Sequence, residues 1–113
     1  MNVEIVQQVL ELEGFEVLAA RSATQALDLI QSTTPDIGLI DVRVPGAFDL
    51  IDQIKSPDAA QQPILVALVA YDALAQSAAL LDAGFDDCLP KPVNTRALPT
   101  FLRNHVARRH YGA

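Results

Sequence analysis

DIGLIDVRVP, residues 36 to 45, is the stretch on which the fold turns. Ile37, Leu39 and Ile40 make a short apolar run bracketed by Pro35 and Pro45. A run this short and this well punctuated reads as a buried strand, since a helix needs roughly 10 residues to show its period. The strand stops at Asp41. In an open parallel α/β sheet the carboxyl ends of the strands face the crevice where ligands and chemistry collect, which makes Asp41 the first candidate functional residue. A carboxylate closing a strand is also an ordinary solvated loop residue, so the case rests on what surrounds it.

Downstream, a loop through Pro45 and Gly46 leads to Phe48, Ile51 and Ile54, the stripe of a helix ending near Lys55. The polar segment 56–63 carries two prolines and reads as a surface loop. ILVALVA, 64–70, is apolar throughout, as strands buried on both faces of a parallel sheet are. Leu74, Ala78 and Leu81 then mark a helix closed by Gly84, FDDCL at 85–89 a last strand, and LPKP an abrupt turn carrying Lys91. Asn94 is a good cap for a final helix over about 95–109, with Leu98, Leu102, His105 and Val106 as its stripe. Pro99 lies past the first turn counted from Asn94, so this helix either kinks or starts late.

Upstream, Val3, Ile5, Val6, Val9 and Leu10 recur at helical spacing over 3–13, and Gly14 is a natural left-handed stop. FEVLA, 15–19, reads as a short strand. Ser22, with Gln25 three positions on, forms a capping box for a helix whose stripe is Ala23, Ala26, Leu27 and Ile30. The order is a helix followed by four strand and helix pairs, an alternation that predicts a parallel α/β sheet with right-handed crossovers and helices on both faces. A doubly wound unit should open on a strand before its first helix, and here Met1 leaves no room for one.

The bulk numbers exclude several classes. At 113 residues the chain should form a single domain over 1–113. Half of the residues are hydrophobic, yet the longest apolar run, Ile64 to Tyr71, is far below the roughly 20 residues of a membrane span. No basic segment leading into a long apolar one follows Met1, so we expect no secretion signal, no membrane partner and a cytoplasmic location. One cysteine, Cys88, rules out an internal disulfide and is expected to act as a small buried apolar residue. The net charge of −6 combines an acidic body with a basic tail: all fourteen acids lie in residues 1–94, while 95–113 hold Arg96, Arg103, Arg108 and Arg109. An acidic body argues against direct nucleic-acid binding.

With PDIGLIDVRVPG, PILVALVA, ELEGFEVLAARSATQALDLI and LLDAGFDDCLPKPVNTRAL all in place, the chain resembles the receiver domain of two-component response regulators over nearly its whole length. The resemblance implies the flavodoxin-like strand order 2-1-3-4-5. It also implies that Asp41 is the acid that accepts a phosphoryl group from a histidine kinase or phosphotransfer protein, with Lys91 as charge partner. A carboxylate is a competent nucleophile toward phosphorus, and catalysis of such transfers is mainly positioning plus cationic stabilisation. The bond before Pro92 is often cis in the family, which aims the lysine inward.

The pattern is also broken. Receivers hold Mg²⁺ with an acid pair after the first strand, the phosphoacceptor and a carbonyl two residues beyond it, here Arg43. Only Asp41 and the Arg43 carbonyl are in view, so any Mg²⁺ is expected to bind weakly. Glu4 lies in the first helix and is expected to face solvent. The Thr or Ser of the switch is matched by Val69 and its aromatic partner by Cys88, so switching is expected to be impaired. Asp49 is expected to be a helix-start acid, and Asp86 and Asp87 a polar strand end.

The absent first strand admits three readings: truncation of a longer product, direct pairing of 15–19 with 36–40, or a strand donated or exchanged by a partner. Three functions follow. The first is a phosphoacceptor receiver. The second is a phosphorylation-independent pseudo-receiver that binds or dimerises through the face of its fourth helix, fifth strand and fifth helix. The third, an aspartate-nucleophile phosphatase, is disfavoured because Arg43 stands where such enzymes carry a second acid.

Overall fold

A computed structural model describes residues 3–55, 63–70 and 77–111. In chain order its elements are α1 (Val3–Leu12), α2 (Ala23–Thr33), β1 (Ile37–Asp41), α3 (Ala47–Ile54), β2 (Ile64–Ala70), α4 (Ser77–Ala83), β3 (Asp87–Lys91) and α5 (Leu98–Tyr111). The expected loop over 56–62 and the Leu74 position of the fourth helix lie outside the described residues. The strands form one parallel sheet in the order β1-β2-β3, which is the 3-4-5 portion of the expected order.

Successive side chains along a strand point to opposite faces, and the core divides accordingly. On one face Leu65, Ala67 and Val69 of β2 pack with Leu50, Ile51 and Ile54 of α3, Leu80 of α4 and Phe85. The α2 stripe, Ala23, Ala26, Leu27 and Ile30, lies over this cluster half-buried. On the other face Val6 and Leu10 of α1 meet Leu98 and Leu102 of α5, with Ile37, Leu39 and Leu89 against them. The sheet is therefore covered on both sides, as an all-parallel sheet requires.

Local signals fix the helix ends. The Phe15 N–H donates to the Leu10 carbonyl and the Gly14 N–H to the Glu11 carbonyl, a Schellman closure with Gly14 at φ +90°. The same pair of bonds runs from Phe85 to Leu80 and from Gly84 to Leu81, with Gly84 at φ +120°. At Ser22 the hydroxyl accepts the Gln25 N–H at 3.1 Å, while the Gln25 side chain returns to the N–H of Arg21, one residue outside the cap. Asn94 accepts from Arg96 and Ala97 in a lead-in turn, and α5 proper starts late, at Leu98. Pro99 then sits in the first turn, where an N–H has no helical partner to lose.

Four expectations are corrected. Residues 15–20 form no strand, so among the described residues three strands stand where four were expected. Phe15 and Val17 turn inward and Leu18 outward, 50% exposed, which keeps a strand's alternation. A ladder also needs a neighbour, and β1 spends its paired edge on β2. No ladder joins 15–19 to 36–40 among the described residues. The last strand is Asp87–Lys91 instead of 85–89, because Phe85 closes α4 and Asp86 brackets Leu65: its N–H donates to the Leu65 carbonyl at 2.7 Å and its carboxylate accepts the Leu65 N–H at 2.8 Å. The segment read as the turn LPKP is thus largely strand, and Pro90 is tolerated because β3 is an edge. Finally, Phe48 does not belong to the buried stripe of α3; it is 49% exposed, and Leu50 takes its place.

Candidate functional site

Asp41 ends β1 and Lys91 ends β3, and neither strand touches the other because β2 runs between them. Two ladder spacings separate them, roughly 10 Å. Asp41 is in register with Leu68, and Lys91 with Ala70, so the lysine lies two residues further toward the carboxyl edge. Its four-carbon stem reaches back across the end of β2 and places Nζ 2.9 Å from Asp41 Oδ2. The lysine side chain is 16% exposed and the carboxylate 26%. Lys91 is followed by a cis peptide bond to Pro92, the geometry the resemblance implied.

The second carboxylate oxygen is also held. Arg43 N–H donates to Asp41 Oδ1 at 2.9 Å, closing a small turn at the start of the β1–α3 loop. Partial burial works to raise the Asp41 pKa, but the Arg43 N–H and the hydrogen bond and charge of Lys91 outweigh it, and the group is held below its ordinary value. Asp41 is thus an ionised carboxylate aimed by two donors at the carboxyl edge of the sheet. A nucleophilic oxygen with a fixed cation beside it suits the capture of an anionic, electrophilic centre.

The other sequence-derived positions fall elsewhere. Val69 is 2% exposed in the core under α3 and α4, and the half-buried Cys88 packs against the same cluster. Glu4 is on the exposed side of α1. Asp49 occupies the first turn of α3. Asp86 pairs with Lys55 at 3.2 Å besides bracketing Leu65, and Asp87 engages the Cys88 N–H and His105 Nε2. Among the described residues no cluster of three His, Cys, Asp or Glu side chains could hold a metal ion. Sequence reasoning placed His105 in the apolar stripe of α5 and missed its carboxylate partner; the available signal was a histidine at a core-facing helical position, which calls for a polar partner. Beside Lys91, a half-open apolar cleft of about 140 Å³ lies between Leu89, Pro90 and Pro92 on one side and Ala97, Leu98 and Phe101 on the other.

Comparison with known proteins agrees with this architecture. The family model described as the response regulator receiver domain matches residues 1–103. The transcriptional regulatory protein CpxR of Escherichia coli (strain K12) is 35% identical over 107 residues, covering 95% of this chain and 45% of that protein. The response regulator MprA of Mycolicibacterium vanbaalenii is 40% identical over 107 residues, covering 93% of this chain and 46% of its own length. A crystal structure of a CheY-like response regulator receiver domain protein from Methanospirillum hungatei superposes with a TM-score of 0.79 at 25% identity, over 98% of this chain and 89% of that one. The chain belongs to the response regulator receiver domain family, a class of signalling modules in two-component systems. It spans less than half the length of the curated relatives it matches. Among the described residues no helix is long and apolar enough to cross a membrane.

Proposed function

We propose that Asp41 is the phosphoacceptor of this receiver and Lys91 its cationic partner. The observation that carries this reading is the 2.9 Å contact between the two side chains across the end of β2. In the reaction an Asp41 carboxylate oxygen attacks the phosphorus of a phosphohistidine presented by a histidine kinase or phosphotransfer protein. An O–P bond forms, the P–N bond breaks, and its electron pair returns to the departing imidazole. The transferring group carries its negative charge on the equatorial oxygens, and the Lys91 ammonium, already at the carboxylate, stabilises it without moving far.

The family uses Mg²⁺ at this position, and the donor set here fits that ion poorly. Asp41 and the Arg43 carbonyl would be its protein ligands, while both Asp41 oxygens already accept from N–H donors. Mg²⁺ depends on carboxylate anchors to compensate its dehydration, and among the described residues no acidic cluster stands here, so these residues alone hold it weakly.

Intact mass after incubation with acetyl phosphate and Mg²⁺ tests the assignment. The expected result is one phosphoryl adduct that is absent in Asp41→Asn and much reduced in Lys91→Ala. An adduct that persists in Asp41→Asn would overturn it. No adduct on the wild type would leave a receiver fold that acts by contact alone, through the face of α4, β3 and α5. Readout is also altered on this reading. Val69 offers no hydroxyl and Cys88 no phenol, so phosphorylation should shift amide resonances around Asp41 and Lys91 while leaving α4 and the middle of α5 nearly unchanged.

A further inference from the structure

His105 occupies a position on α5 that the helical period assigns to the core. Leu98 and Leu102 precede it on the same stripe at 1% and 3% exposure, and the His105 side chain is 11% exposed. Its Nε2 lies 3.0 Å from Asp87 Oδ2, the carboxylate of the residue that opens β3. Asp87 Oδ1 accepts the Cys88 N–H at 2.8 Å, so the carboxylate is oriented before the histidine meets it. The ring of Phe101, one turn back on α5, stands edge-on to the imidazole with centroids 4.8 Å apart. The amino-terminal half of α5 is thus pinned to the sheet by apolar side chains, and further along the helix His105 joins it to β3 through a titratable pair with Asp87.

We infer that the His105–Asp87 pair is a proton-sensitive latch that sets how tightly the carboxyl-terminal half of α5 is held on β3. With the imidazole protonated the contact is an ion pair in which both partners are charged; with it neutral, the hydrogen bond to the carboxylate remains but the attraction between two opposite charges is lost. Opposite charges this close, and partly shielded from water, attract more strongly than a charge and a neutral ring, and histidine is the side chain whose ordinary titration lies nearest neutrality. The other charges around the latch do not replace it. From α1, Glu13 is engaged by Arg103, whose guanidinium donates to its carbonyl at 2.8 Å and to its carboxylate at 3.1 Å and stacks over Phe15. From α5 itself, Arg108 is exposed one turn beyond. Asp87 is the acid that faces the ring from β3.

The latch has a structural reach beyond its own contact. Phe101, which packs on the imidazole, also lines the apolar cleft beside Lys91. Loosening the far half of α5 therefore changes the packing of the ring that forms one wall of that cleft. None of this depends on phosphoryl transfer, so the latch stands or falls separately from the assignment of Asp41.

The test is an NMR pH titration of the full chain in a His110→Gln background, which leaves one imidazole to follow. In the wild-type pair, the His105 ring, the α5 amides beyond Leu102 and the Asp87 and Cys88 amides should follow one midpoint. Amide protection in that part of α5, corrected for intrinsic exchange, should be about threefold to tenfold higher near pH 5.5 than near pH 8. In Asp87→Asn, which keeps the acceptor for the Cys88 N–H, the ring should still titrate while the protection ratio falls to about one. His105→Phe, which preserves the apolar stripe, should show no dependence at either pH. A helix response in Asp87→Asn equal to that of the wild type would overturn the latch, as would a titrating ring with a constant α5 in the wild type.

Discussion

β1 and β2 are both short apolar strands of one sheet, yet they are held very differently. β2 pairs with a strand on each side and its five central residues are buried, whereas β1 pairs on one side and all five of its residues are only half-buried. The candidate nucleophile terminates the less secured of the two. A strand held on one edge relies more on what grips its end, and here Lys91 reaches over from β3 and Arg43 N–H closes the following turn. The pair at the edge thus also acts as a strut between the two outer strands.

That contrast can be broken most severely in β2. Leu65→Ala removes a fully buried side chain from the face under α3 and should cost about 3 kcal/mol in urea unfolding. Leu39→Ala, on the half-buried β1, should cost about half as much. Equal losses would mean that β1 is as well packed as β2. Next in size, Lys91→Met keeps the stem and removes the charge; stability should fall by about 1 kcal/mol at neutral pH, because a partly buried carboxylate loses its cation.

Acid should sharpen the same point. The Asp41 pKa is lowered in the folded chain, so its contribution is complete above the ordinary carboxylate range and disappears as pH falls through the still lower folded value. The stability difference between wild type and Lys91→Met should accordingly narrow below about pH 4. A gap that stays constant down to acid pH would show that Lys91 stabilises by packing alone. The smallest effect belongs to Gly38→Ala. An added Cβ would stand 3.2 Å from Leu65 Cδ2, a contact that one leucine rotamer adjustment relieves, so the loss should stay within about 1 kcal/mol.

Much of this arrangement was legible in local sequence. Pro35 and Pro45 bracketed β1, the unbroken apolar run gave β2, and Gly14 and Gly84 marked two helix ends, because each signal acts within a few residues. Asp41 and Lys91 were also legible, but only through resemblance, since nothing in their spacing of fifty residues says that they meet. The errors share a non-local cause. FEVLA has the alternation of a strand, but whether it joins a sheet is decided by a neighbour and not by its own side chains. The two-residue shift of β3 arose because Asp86 brackets Leu65 with its side chain and its N–H, and no local pattern announces that. The His105–Asp87 contact joins a helix to the start of a strand eighteen positions earlier, and helical periodicity could register only that His105 pointed inward.

The paired closures at Gly14–Phe15 and Gly84–Phe85 have a consequence for the order of events during folding. In both, a phenylalanine just past the helix end bonds back to a leucine carbonyl five residues earlier and packs into the same cluster as that leucine. These knots close over the shortest of loops, while ladder partners are 27 residues apart between β1 and β2 and 21 apart between β2 and β3. Short loops close in well under a microsecond, and long-range parallel pairing is slow. The helix ends can therefore be tied before the sheet exists, one for each of its faces, so that the strands assemble between two aromatic anchors already in position.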